Sequence, residues 1–397
     1  MRDSKDSVVT GRKSMIGLSP LALGSGAIGT SSYSIASLLP AVSQRLSVSP
    51  AAGGQLVTVF ALACAVSCPA VAMVASVKGW DRRRLVLGAL VIAGLGNACC
   101  ALASTPASMF AARILTALGS AVYVPAATSL AATRSAPHRS ARAIAVVLSG
   151  LSASLLLGIP ATSSGMNLLH GDQGVFWSIT ALCLISAGVI AAFVPSSEHP
   201  TRLGTTAPKE RRTSRVGGQS MLVLAVTLLA TLATFMVYTY ITLILAVPSA
   251  DGMPMVILLS AYGVGAVAGT LLGGRAADRW HPAWVVLVAT AMSAIVLLLL
   301  GWVIRIPASP VVVALVLTGW GCACWAIYSP LSAWLSTPVL MSFNTAAVYA
   351  GMAIGGLLGG VVVAETDPST LVPVAAAAAL AASCVVVVAR PRSPVPE

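Results

Sequence analysis

Crossing the hydrocarbon of a bilayer as an α-helix takes about 20 apolar residues, and stretches of that length recur along nearly all of this chain. They fall at 17–41, 51–77, 84–104, 108–132, 142–167 and 173–195, and again at 220–247, 254–275, 283–304, 310–334, 341–363 and 369–389. A transmembrane β-barrel is built from shorter, alternating strands, which continuous apolar blocks do not match. The pattern predicts an all-α membrane protein of about twelve transmembrane helices. Only 9% of the 397 residues are charged, against about 25% in a soluble domain, so little chain is left for a water-soluble domain. The first block follows a polar tail and is too long for a signal-peptide core. It reads as the first span.

A net charge of +12 would suit a nucleic-acid partner, but its distribution excludes that reading. Basic residues gather at Arg2, Lys5, Arg12 and Lys13, at Lys78 and Arg82–Arg84, and at Arg134, Arg139 and Arg142. Further groups stand at Arg202, Lys209, Arg211, Arg212 and Arg215, at Arg275 and Arg279, and at Arg390 and Arg392. These groups fall on alternate connections between apolar blocks and at the termini, and the connections in between hold Arg45 and Arg305 alone. Such alternation is the positive-inside bias. It predicts a multi-pass protein of the plasma or inner membrane, surrounded by lipid, with both termini cytoplasmic.

The longest polar segment, 196–219, is basic and divides the chain into an N-terminal six-helix bundle (1–195) and a C-terminal one (220–397). It reads as a flexible cytoplasmic linker. A weak internal repeat supports the division. Val74, Lys78, Gly79 and Trp80 stand 200 residues before Gly274, Asp278, Arg279 and Trp280, each set at a helix end beside a charged turn. Two related halves joined by a linker are a common plan of secondary transporters. Glycines at 263, 265, 269, 273 and 274, and at 351, 355, 356, 359 and 360, let helix backbones approach closely in lipid.

Catalytic and metal-binding classes find no footing. His138, His170, His199 and His281 fall in predicted loops, with no paired-Asp, Ser–His or H-E-x-x-H arrangement. The eight cysteines lie inside apolar blocks, where a free thiol behaves as a small hydrophobe. Cys64 and Cys68 share a helix face, but no His or carboxylate accompanies them. No cofactor, no metal and no enzymatic activity are expected.

Several short motifs, in order and at fitting positions, resemble those of the major facilitator superfamily, in particular its bacterial twelve-helix drug-efflux permeases. Gly274 to Arg279 is similar to the G-x-x-x-D-R signature between spans eight and nine. Its first-half counterpart, Lys78 to Arg84, keeps the basic cluster but has Lys78 in place of the acid and Asp81 in place of a glycine. Arg113 with Gly119 resembles the arginine signature of span four. Gly150, Gly158, Pro160 and Gly165 resemble the antiporter signature of span five, with Thr162 replacing one glycine. Gly29-Thr30 through Leu38-Leu39-Pro40, then Val48-Ser49-Pro50 and Gly54-Gln55-Leu56, resemble the first hairpin.

The resemblance implies alternating access of two bundles around a cavity lined by spans one, four, seven and ten. It also implies a cytoplasmic latch formed by Lys78, Asp81, Arg82, Gly274, Asp278, Arg279 and Arg142. Asp278 is expected near the start of span five, close to Arg139 or Arg142, because a carboxylate is favoured at a helix N-terminus.

The resemblance further implies proton antiport, and here the sequence departs from it. None of the eleven acidic residues falls in the middle of a predicted span; Ser32 stands where related proteins often carry an acid. A buried carboxylate suits proton coupling because desolvation disfavours its charged form. Arg113 stays charged throughout. Asp172, Asp251, Glu365 and Asp367 are expected in outward-facing loops, where they would serve only if folded inward.

The expected substrate surface is apolar with scattered polar tips. It comprises Tyr33, Gln55, Phe60, Arg113 and Tyr123 in the first half, with Phe235, Tyr238, Tyr240, Trp320, Trp325, Tyr328, Asn344 and Tyr349 in the second. Tyr33, Arg113, Tyr238 and Tyr240 lead, because they lie on the cavity-lining spans. The lack of a mid-span acid disfavours cations and suits neutral, zwitterionic or anionic amphiphiles. The function expected is export of a small amphiphilic molecule, a drug or secondary metabolite, by a monomer with protons as a further partner. Sugar or amino-acid permeases need more polar partners than these spans hold. A non-transporting sensor on the same fold is the other alternative.

Overall fold

The computed structural model describes residues 19–78, 81–135, 140–169, 171–195, 218–246, 253–306, 308–334 and 338–389. Among them there are helices and no strands. The linker 196–217, Arg139, His138, His170, His199 and Asp251 lie outside the described residues. Lys78, Arg142 and Pro160 are described in backbone only.

The helices run in chain order as α1 (Ser19–Tyr33), α2 (Ile35–Arg45), α3 (Pro50–Lys78), α4 (Arg82–Leu102) and α5 (Pro106–Thr133). Then come α6 (Ser140–Ala153), α7 (Ile159–Leu168), α8 (Asp172–Phe193), α9 (Gly218–Thr239) and α10 (Ile241–Ile244). The remainder are α11 (Met255–Arg279), α12 (Pro282–Val303), α13 (Pro310–Trp325), α14 (Tyr328–Trp334), α15 (Pro338–Glu365) and α16 (Leu371–Ala389). Ten stretches among the described residues are long and apolar enough to cross a membrane. The other two predicted spans, the first and the fifth, are present but interrupted.

Each interruption has a local cause. The first span breaks between α1 and α2 within Thr30-Ser31-Ser32-Tyr33-Ser34. The Ser32 hydroxyl donates to the Ile28 carbonyl at 2.7 Å and Ser37 donates to Ser34 O at 2.9 Å. Serine hydroxyls compete in this way with the helical ladder. In the fifth span a π-helical segment, Ser154–Gly158, separates α6 from α7. Pro160 lacks the N–H that would bond the Leu156 carbonyl, so the ladder there shifts its register.

The chain forms two compact units. One contains Met1–Leu46 and Val66–Thr206; the other contains Ser47–Ala65 and Ala207–Glu397. The first part of α3 therefore belongs to the second unit. In the first unit α4 packs on α5 and α8, and α1 packs on α6 and α8. A Cβ added at Gly150 would lie 2.0 Å from the Ala22 carbonyl oxygen, so hydrogen alone lets α6 sit on α1. In the second unit α9 packs on α15 and α16, α11 on α13, and α12 on α16. Gly265, Gly269 and Gly273 form a stripe on α11, where added Cβ atoms would meet the carbonyls of Thr318, Cys322 and Ala326 at 2.0, 2.1 and 2.3 Å. At one end Val223, Val226, Val286, Ile327, Leu331 and Val386 form an apolar core.

The outward surfaces are apolar too. Leu95, Ile295 and Leu315 are 55%, 58% and 66% exposed, and many other large hydrophobics share this fate. Water rarely faces apolar surface on this scale. Lipid does.

Candidate functional site

The break in the first span places a polar cluster inside the first unit. Arg113, about two turns into α5, is fully buried, and its Nη1 donates to the Ser31 carbonyl at 3.0 Å. The side chain therefore turns inward and does not snorkel toward headgroups. Asn97 on α4 donates from Nδ2 to the Ser31 hydroxyl at 2.7 Å and to the Ala93 carbonyl at 2.8 Å. Beyond the break, the hydroxyls of Ser37 and Thr162 lie 2.9 Å apart, joining α2 to α7. Sequence reasoning missed Asn97; a lone amide in the apolar run 84–104 was the available signal, since intramembrane polar groups are rare and placed for a reason.

Of the other first-half residues, Tyr123 is buried against α1. Its hydroxyl donates to Leu21 O at 2.8 Å and its ring fills the space beside Gly24. Tyr33 is half-buried and Phe60 fully buried. The glycines expected to form an antiporter signature differ in their packing. Gly150 and Gly158 are close-packing positions on α1, against Ala22 and Thr30, whereas Gly165 makes only ordinary contacts with Leu169 and Val175.

The second unit holds a column of aromatic rings. Phe235 and Tyr238 on α9 meet edge-on with centroids 5.9 Å apart. Tyr238 lies 5.2 Å from Tyr262 on α11, and Tyr262 lies 4.8 Å from Trp320 on α13. Trp325 donates its indole N–H to the Tyr262 hydroxyl at 2.9 Å and stacks near Tyr328 at 5.2 Å. Trp320 is fully buried, and its Nε1 finds no acceptor among the described residues. Tyr262 was not among the expected substrate residues; its position in a glycine-rich stretch concealed it.

Around this column, Asn344 accepts a hydrogen bond from the Thr227 hydroxyl at 2.7 Å. Tyr240 donates to Gly356 O at 3.1 Å, sits against Gly54 and Gly359, and lies near Gln55, itself bonded to Ala51 O at 3.4 Å. Tyr349 is half-buried on α15.

At the basic turns, Asp81 caps α4 by accepting from Arg83 N at 3.1 Å, and Arg84 stands 3.9 Å from it. Arg83 donates to the carbonyls of Val194 and Ala191 at 2.6 and 2.7 Å, and Arg134 donates to Pro195 O. Burial, with the positive charge of Arg83 nearby, lowers the Arg134 guanidinium from its ordinary value. Arg82 is half-buried. Gly274 is partly covered, and Asp278 and Arg279 are exposed. Asp278 forms no ion pair with a described residue; the side chains expected to face it, Arg139 and Arg142, lie outside the described set.

One expectation needs correction. Asp172 is not a solvated loop residue: it opens α8, is 5% exposed, and forms an ion pair with Arg45 at 2.8 Å. Glu365 and Asp367 are exposed. The Ser369 hydroxyl and N–H hold Asp367 below the usual carboxylate range, which keeps it ionised and unsuited to carrying a proton near neutrality.

Residues 21–254 match the family model of the Major Facilitator Superfamily. The uncharacterized MFS-type transporter YbcL of Bacillus subtilis is 28% identical over 361 residues, 88% of this chain and 90% of that protein. The chloramphenicol resistance protein of Streptomyces lividans is 28% identical over 87% of this chain and 88% of its own length. The chloramphenicol efflux pump Rv0191 of Mycobacterium tuberculosis is 30% identical over 66% of this chain and 64% of its own. Among solved structures, a bacterial homologue of the human lysosomal transporter Spinster, inward-facing and unoccupied, superposes with a TM-score of 0.61 at 16% identity, covering 95% of both chains.

Proposed function

Because the chain belongs to the Major Facilitator Superfamily, we propose that it is a secondary active transporter exporting a small, uncharged amphiphile of the chloramphenicol kind by alternating access. The observation that carries the reading is the aromatic column of the second unit, with the Trp320 N–H left without an acceptor among the described residues. Stacked rings offer an apolar, polarisable wall. A buried donor with no partner costs stability until a ligand supplies an acceptor. A neutral solute with an aromatic ring and nitro, carbonyl or hydroxyl oxygens meets both conditions. The names of the Streptomyces and Mycobacterium relatives favour the same class.

The polar cluster of the first unit supports the preference for uncharged solutes. Its charge is a single guanidinium engaged with a backbone carbonyl, and its other groups are hydroxyls and an amide. A cationic drug that approached the cluster would meet the positive charge of Arg113.

The test is expression in an efflux-deficient bacterial host challenged with chloramphenicol and a panel of cationic dyes. Resistance to chloramphenicol but not to the dyes is expected. Trp320→Phe keeps the ring stack and removes the donor, and it should lower chloramphenicol resistance by about tenfold, the equivalent of one hydrogen bond of about 1.4 kcal/mol. Resistance to dyes alone would overturn the substrate assignment.

A further inference from the structure

Among the described residues, two have a backbone φ in the left-handed range, Gly171 at 100° and Ser47 at 52°. Both stand beside the Arg45–Asp172 ion pair. Ser47 is also where the chain first leaves the first unit, whose first segment ends at Leu46. A side-chain-bearing residue holds a left-handed conformation only where its surroundings fix it. Two residues earlier stands Arg45, the last residue of α2.

Arg45 is bound on three sides, all within the first unit. Its Nε meets Asp172 Oδ2 at 2.8 Å, Nη2 reaches the Cys100 carbonyl at 3.3 Å, and Nη1 donates to the Ala103 carbonyl. It thus ties the end of α2 to the last turn of α4, where a cation is favoured, and to the first residue of α8, where an anion is. Gly171, which only glycine accommodates easily at this φ, turns Asp172 inward. Asp172 is the one buried carboxylate among the described residues; Asp81 is partly covered, and Asp278, Glu365 and Asp367 are exposed.

We propose that Asp172 is the proton-responsive group of this transporter: ionised, it holds Arg45 and fixes the crossover at Leu46–Ser47; protonated, it releases that crossover to move. The proton passes from water to Asp172 Oδ2, at the end of the bundle that the charge bias of the loops assigns to the outside. Arg45 keeps its own proton and retains the carbonyls of Cys100 and Ala103, so neither state strands a bare guanidinium in an apolar setting. The charged group facing Asp172 is Arg45 from α2. At this end α1 and α7 bring no charged side chain, and His170 lies outside the described residues.

The proposal rests on the transport reading, and its test separates the two. Hydrogen exchange of the full chain in lipid nanodiscs is followed over peptides covering 43–58. It is corrected for intrinsic rates and compared at about pH 7.5 and about pH 3.5, the lower value lying below the ordinary aspartate value of about 3.9. Wild type should exchange at least about threefold faster at the lower pH. Asp172→Asn should be fast at both, and Asp172→Glu should keep the response. A flat wild-type profile, or an unchanged response in Asp172→Asn, overturns the proposal, and the wild-type measurement decides even if the asparagine variant fails to fold. In liposomes loaded with chloramphenicol, an imposed proton gradient should accelerate wild-type flux and leave Asp172→Asn unaffected. Equal acceleration of both overturns the proposal. Absence of chloramphenicol flux in wild type counts against the export reading, while the exchange result still decides on Asp172.

Discussion

Arg113 and Asp172 show how differently single residues can be read from a sequence. Arg113 was legible, because a guanidinium two turns inside an apolar run must find internal partners or reach the interface; burial and the bond to Ser31 O decide for the former. Asp172 was not legible, because a residue at the mouth of a span is buried or solvated according to what other chain segments bring near it. Arg45, 127 positions away in sequence, supplies the answer. Arg113 also separates stability from transport. Hydrogen bonds between helices in lipid average about 0.6 kcal/mol, so Arg113→Leu should shift the unfolding midpoint by a few degrees at most. If the charge orients solute or tunes the cluster at Ser31, the same variant should lose most chloramphenicol resistance at equal expression. Full resistance in Arg113→Leu would reduce the residue to a structural bond.

At the scale of elements, hydropathy alone located the described spans, since lipid demands long apolar blocks and leaves few alternatives. The interruptions at Ser34 and Ser154–Gly158 escaped it. Apolar and small residues continue through both, and what changes is the hydrogen-bond register, to which a hydropathy pattern is blind. Glycine density announced close packing without naming the partner: the stripe on α11 meets α13, and Gly351 and Gly355 on α15 meet α9. The same distances predict which substitutions matter. Gly269→Val must push against the Cys322 carbonyl, 2.1 Å from the added Cβ, and should destabilise by about 1–3 kcal/mol. Gly188→Ala on α8 meets nothing within 4 Å and should be neutral, or stabilising by up to about 1 kcal/mol. Thermal unfolding of the two variants in one detergent checks both, and equal midpoints would mean that the α11–α13 contact yields easily.

For the whole molecule, the alternation of basic loops carries two kinds of information that the sequence merges. It predicts orientation, because cations are retained on the cytoplasmic side. It also marks residues that finish helices: Arg83 and Arg134 hold the carbonyls of Ala191, Val194 and Pro195 at the end of α8, where the helix dipole favours positive charge. A cluster that serves both ends cannot be moved to the other face without leaving those carbonyls bare, so orientation and packing reinforce each other. If this coupling holds, the turn before α12 is cytoplasmic and the end of α15 is external. In a cysteine-free background, Glu365→Cys should react with a membrane-impermeant maleimide in intact cells, and His281→Cys should react only after permeabilisation; both positions are exposed. The reverse pattern would invert the chain in the membrane. It would also place the Arg45–Asp172 pair on the cytoplasmic side, where an inward proton gradient could not reach it first.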